Sequence, residues 1–168
     1  MLVCIDLSSL YFAIRGLNIT VNYEKLVGWL KTTAFSELFE SGDNPSTSIV
    51  DIQAFTIADP KNQSQSKFLT RLGELGVGLN VYDFNTKPNF SVELGVVAAM
   101  SSHEKIVIMS NDSALLRSFD LLKDRGGKDV ALCFFSEKLD GSWTPKILSN
   151  EVKFLDLSNP KTRSAISS

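Results

Sequence analysis

The sequence predicts an α/β fold: a three-layer α/β/α sandwich around a mainly parallel central sheet. Short apolar, β-prone runs alternate with stretches of helical periodicity, which is the pattern of successive strand–helix–strand units. The connections between runs are long enough for right-handed crossovers. The run KIVIMS at 105–110 is apolar without alternation, as befits a strand covered on both faces. A length of 168 residues suits one domain. A chain of this size buries roughly 70% of its unfolded surface, so its core needs no disulfide or metal.

Residues 2–5 form the first expected strand, and Asp6 follows it directly. Ser8 and Ser9 are candidate N-caps for a short helix through Leu10, Tyr11, Ala13 and Ile14, with Gly16 as its stop. Between 21 and 40, Leu26, Val27, Trp29, Leu30, Phe35, Leu38 and Phe39 recur at helical spacing. The segment SGDNPSTS at 41–48 reads as a loop, and 48–58 as a second strand. A helix is expected over 62–75, where Phe68, Leu69, Leu72 and Leu75 make one apolar stripe before Gly76 and Gly78. A third strand over 78–84, a loop over 85–90 and a largely buried helix over 92–102 lead to the KIVIMS strand. Asn111, Asp112 and Ser113 then cap a helix carrying Leu115, Leu116, Phe119, Leu121 and Leu122, closed by Gly126 and Gly127. A fifth strand over 129–135, a polar loop over 138–144, a short helix over 145–150 and a last strand over 152–157 complete the pattern. The domain therefore spans 1–157, and 158–168 reads as a polar, frayed tail.

Composition narrows the chemistry. There are 17 basic and 19 acidic residues, a net charge of -2, so the chain is not a generally basic nucleic-acid binder. One histidine, His103, and two cysteines, Cys4 and Cys133, exclude zinc fingers and disulfide scaffolds and argue against histidine-centred triads. Catalysis, if present, falls to carboxylates and hydroxyls. The cysteines read as small buried hydrophobes, consistent with a cytoplasmic location. The start MLVCID lacks a basic n-region and is too short for a signal peptide or membrane span. His103 is expected in an exposed turn, and Trp29 and Trp143 in the core.

Ligands of open parallel sheets gather outside the carboxyl ends of the strands. Asp6 and Asp112 fall at two such ends, where paired carboxylates can converge on a hard divalent cation. Either residue can equally be a loop or cap residue, Asp112 especially. No Gly-rich phosphate loop or Ser nucleophile elbow is present. Lys61, Lys67, Arg71 and Lys87 could line an RNA-binding rim or simply a solvated helix face. Arg117, Lys123, Arg125 and Lys128 suit a helix C-terminus.

Four segments carry a resemblance. IDLSSLYF at 5–12, DPKNQSQSKFLTRLGELG at 59–76, KPNFSVELGVVAAM at 87–100 and IVIMSNDSALLRSFDLLKDRGGKDV at 106–130 resemble, in order, the motifs of the NYN domain family of PIN-like nucleases. The resemblance implies a divalent-metal-dependent ribonuclease using Mg²⁺ or Mn²⁺. It assigns Asp6 and Asp112 as catalytic residues and metal ligands. Ser9 stands where the family has asparagine, and Ser91, Val97 and Ala114 stand where it has aspartates. Glu93, near the start of the same helix, is the expected substitute carboxylate and third catalytic residue, with Asp83 and Asn111 as further stand-ins. Ser9, Asn111, Ser113 and Lys87 are the expected substrate contacts. The missing acids imply an atypical, weakened site, or alternatively an inactive module that binds RNA or a protein. RNA is the expected partner, with a protein or a second copy (a homodimer) as further options. No membrane contact and no DNA specificity are expected.

Overall fold

Among the described residues the apolar runs become six strands: β1 (Leu2–Asp6), β2 (Asp51–Ala58), β3 (Gly78–Asp83), β4 (Lys105–Met109), β5 (Asp129–Phe134) and β6 (Lys153–Asp156). The structure, a computed structural model, describes residues 1–39, 49–86 and 88–168, without the side chains of Phe35 and Glu37. The expected loop at 41–48, Lys87 and the place of Phe35 in its helical stripe lie outside the described residues. The strands lie in the order β3-β2-β1-β4-β5-β6, and every neighbouring pair is parallel. Among the described residues, seven helices connect or flank them: α1 (Leu7–Leu17), α2 (Tyr23–Phe39), α3 (Gln63–Glu74), α4 (Phe90–Met100), α5 (Leu115–Asp124), α6 (Thr144–Leu148) and α7 (Pro160–Ile166).

Strand periodicity makes two cores. Val3 and Ile5 of β1 face one way, toward Leu10 of α1, Leu30 of α2 and Leu72 of α3. Leu2 and Cys4 face the other way, toward Leu94 of α4 and Phe119 of α5. The result is a three-layer α/β/α sandwich. The chain steps outward from β1 to β2 and β3, then returns past β1 to β4 and continues to β5 and β6. Parallel crossovers keep one hand, so this reversal moves the helices to the opposite face. It also opens a crevice between the carboxyl ends of β1 and β4, the topological switch point.

Several expectations are corrected at element ends. β1 runs into α1 without a linker, so Asp6, and not Ser8 or Ser9, is the N-cap of α1. Gly16 lies inside α1, and Asn18 at φ 52° ends that helix. The bare Cα of Gly16 instead leaves room for Lys138, whose Nζ would lie 3.0 Å from a Cβ there. The helix expected from about residue 62 is α3, and Asn62 is its N-cap, its Oδ1 accepting the Gln65 amide at 3.0 Å. Helix α4 is not largely buried: Ser91, Leu94 and Ala98 are, while Val92, Val96 and Met100 are exposed. The polar loop after β5 contains two 3-10 turns, Ser136–Lys138 and Gly141–Trp143. His103 is not a free turn residue. Its ring bonds the Met1 amino group at 3.2 Å and the Asp51 carboxylate.

The tail is not frayed. Asn159 caps α7, Pro160 occupies its first turn, and Ile166 is buried. The Asn22 amide donates to the Ile166 carbonyl at 2.9 Å, and Val21 bridges Ser167. Asn-Pro is a helix-start signal that the overall polarity of the segment concealed. Among the described residues, no helix is long and apolar enough to cross a membrane.

After α5, Gly127 turns the chain at φ +60°, with open space where a Cβ would sit. Gly127→Ala is therefore expected to cost about 1 kcal/mol through left-handed backbone strain alone. Urea unfolding measures it, and an unchanged midpoint would refute that origin.

Candidate active site

The switch point holds a cleft of about 820 Å³. It brings together five of the expected site residues: Asp6, Ser9, Asn111, Asp112 and Ser113. Asp6 is the last residue of β1, and Asp112 lies three residues past the end of β4. Asp6 is only 5% exposed. Its Oδ1 accepts the Ser9 amide at 3.0 Å, and its Oδ2 accepts the hydroxyls of Ser9 at 2.6 Å and Ser110 at 3.2 Å. Ser110 Oγ in turn accepts the Asp112 amide at 3.2 Å. One hydroxyl thus links the β1 carboxylate to the loop after β4. Asp112 Oδ1 accepts the Ala114 amide at 2.9 Å, an Asx turn preceding α5 and not a side-chain N-cap. Asp112 Oδ2 accepts the Ser91 hydroxyl.

Ser91 therefore has a defined role. It is buried at the start of α4 and anchors the loop after β4, where a carboxylate would repel Asp112. Val97 packs with the apolar core beneath α4 and offers no ligand atom. Glu93 does not line the cleft. Its carboxylate accepts the Tyr82 hydroxyl of β3 at 3.1 Å. Burial, and then this bond to Glu93, raise the Tyr82 phenol above its ordinary pKa. Asp83 is engaged locally, accepting the Asn85 amide at 2.7 Å, and is also absent from the cleft lining. Expected substrate contact Lys87 lies outside the described residues.

Sequence reasoning missed Ser110, Asn89, Lys138 and Asp140. Asn111 Nδ2 donates to the Lys138 carbonyl at 3.2 Å, which ties the loop after β5 to the cleft. Among the described lining residues, Lys138 is the sole cation. The Ser142 hydroxyl and amide hold the Asp140 carboxyl below the usual range. Two signals were available. Ser110 is a polar residue ending an apolar strand, and Asp140 lies in the loop at the carboxyl end of β5, beside the switch point.

Among the described residues, no group of three or more His, Cys, Asp or Glu is placed to hold a metal. The donors at the cleft are all oxygen-rich: the carboxylates of Asp6, Asp112 and Asp140, the hydroxyls of Ser9 and Ser113, and the amides of Asn89 and Asn111. Asp6 Oδ1 and Asp112 Oδ1 each accept a single hydrogen bond, which leaves a lone pair on each. Such a set fits a hydrated, weakly held Mg²⁺ or Mn²⁺, because these ions keep several waters. It does not fit a closed, many-carboxylate centre.

No protein-family model matches this sequence, and no curated protein is significantly similar to it. A solved structure of a protein of unknown function from Vibrio parahaemolyticus RIMD 2210633 is similar, with a TM-score of 0.70. The match covers 99% of this chain and 94% of that chain at 11% identity, a likeness of fold alone. The resemblance to NYN domains rests on the sequence motifs.

Proposed function

We propose that the chain is a divalent-metal-dependent phosphodiesterase acting on RNA, of NYN type but with a reduced carboxylate set. The observation that supports this reading is the meeting of Asp6 and Asp112, from two strand ends, in one open polar cleft. Asp6 and Asp112 would hold the cation, which when bound supplies an activated water and charge neutralisation at the phosphodiester. The remaining roles belong to this chain. Ser9 and Ser110 fix the orientation of Asp6, and Ser91 fixes that of Asp112. Lys138 offers a point charge to a phosphate, and Ser113 and Asn111 offer polar groups at the same wall. Buried thiols at Cys4 and Cys133, on opposite faces of the sheet, support a reducing, cytoplasmic setting.

A second reading has its own observation. Every carboxylate oxygen of Asp6 and Asp112 already accepts a hydrogen bond from this chain. A module that binds RNA or a protein without cleaving needs nothing more from them. Cleavage of a labelled RNA over a Mn²⁺ titration separates the two. The wild type is expected to cleave with Mn²⁺ and not with EDTA, and Asp112→Asn to cleave about 100-fold more slowly. RNA binding without Mn²⁺-dependent cleavage would overturn the enzyme and leave the binding module.

A further inference from the structure

A second concavity, of about 530 Å³, lies where α1, α2 and α3 meet the end of β2. Ser8 lines it, whereas the next residue, Ser9, lines the cleft. Its walls are aromatic. Tyr11 and Phe12 of α1 meet edge to face with ring centres 5.6 Å apart, and Tyr23 of α2 and Phe68 of α3 do so at 4.8 Å. Phe12 is 70% exposed, a large ring that no core requires. The volume is within the range of small-molecule sites, and such sites pair aromatic walls with a few polar groups. Among the described residues that line the groove, none carries a charge. Arg15 is close by but committed elsewhere. Its guanidinium lies 5.6 Å from the Tyr11 ring centre, donates to the Tyr11 hydroxyl at 3.1 Å and does not line the groove.

The polar groups of the groove differ in what they have left to offer. Gln65 is spent: its Oε1 accepts the Asp59 amide at 2.9 Å and its Nε2 donates to the Ile57 carbonyl at 2.8 Å, which fixes the floor. Asn62 Oδ1 is taken by the Gln65 amide, and the NH₂ of Asn62 is left as a donor. The Tyr23 hydroxyl has no hydrogen-bond partner among the described residues. Burial, and then the neighbouring Tyr11 phenol, push its pKa up to about 12, so it stays protonated at neutral pH and can donate. A buried donor without an acceptor is costly, and an occupant that supplies the acceptor removes that cost. A carboxylate or phosphate is a poor source of it, because an ion in this uncharged groove loses water and gains no counter-charge. A nucleotide is disfavoured on the same ground. We infer that the groove binds a neutral ring compound, flat enough to pack among the aromatic walls, whose carbonyl-type oxygen accepts from Tyr23. This site is separate from the cleft and does not rest on the reading of the cleft as a nuclease.

The test titrates the full chain, in EDTA, with coumarin, a neutral bicycle with a carbonyl acceptor, and with coumarin-3-carboxylate, the same ring system bearing a charge. Proton–nitrogen correlation spectra report binding and show that each variant is folded. Coumarin is expected to shift amides of α1 and of the start of α3, with a Kd of roughly 1 mM, the strength open to so small a molecule. The carboxylate is expected to bind about tenfold more weakly. Tyr23→Phe keeps the ring that meets Phe68 and removes only the donor, so coumarin should bind about fivefold more weakly. Phe12→Ala removes an exposed wall and should weaken coumarin by about fivefold as well. The inference is overturned by the absence of saturable shifts in the wild type, by equal affinity for the two compounds, or by unaltered coumarin affinity in Tyr23→Phe. A sedimenting dimer that Phe12→Ala dissolves would also overturn it, assigning the groove to a second copy.

Discussion

Asp6→Ala is expected to lower the unfolding free energy by about 3 kcal/mol and to remove Mn²⁺-dependent cleavage entirely. The stability estimate has two parts. Asp6 caps α1, and loss of a capping side chain costs about 1 kcal/mol. Its other oxygen accepts two hydroxyls in a nearly closed setting, and hydrogen bonds to an ionised group contribute about 1.5–3 kcal/mol. Ser110 sits at 1% exposure, so its hydroxyl has no ready access to water as a replacement partner. Asp6→Asn separates the two effects. The amide oxygen can still take the Ser9 N–H, and the two hydroxyls can turn to accept from the new NH₂ group. That variant should stay within about 1 kcal/mol of wild type while losing the charge a cation needs. Urea unfolding followed by tryptophan fluorescence gives the first number. An Asp6→Ala protein as stable as wild type would show that the hydroxyl cluster contributes little to the fold.

The second large effect lies in the core on the α4–α5 face. Phe119→Ala is expected to cost about 4 kcal/mol. Phe119 has no exposure, and its ring meets the buried Trp143 edge to face at 5.0 Å. Truncation removes apolar burial, leaves a cavity and breaks the aromatic pair. Phe119→Leu keeps much of the volume and should cost about half as much. Trp143 reports directly, since its emission should shift to the red in the alanine variant alone. A cost below about 1.5 kcal/mol would mean that α5 and the loop carrying Trp143 close onto the gap.

Much of this fold was legible because its signals are local. KIVIMS reads as a doubly covered strand from six consecutive residues, and the stripe Phe68, Leu69, Leu72 and Leu75 reads as an amphipathic helix from about residue 62. The misread ends had competing local signals. Ser8 and Ser9 are good caps in general, but the strand passes into α1 with no turn, so the cap falls at Asp6, two positions before Ser8. At 158–168 a mostly polar composition outweighed Asn-Pro and the buried Ile166 that anchors α7.

What the sequence determined by itself was a parallel α/β sheet and the two aspartates at its strand ends, because apolar runs and chain order dictate both. Only the tertiary structure decided what those aspartates touch. Ser110 reaches Asp6 from 104 residues away, Ser91 reaches Asp112 from 21, and Glu93 is drawn to Tyr82 instead of the cleft. No periodicity encodes such meetings. They follow from the switch in crossover direction, which sets the β1 and β4 ends side by side and leaves β3, with Tyr82, at the sheet edge.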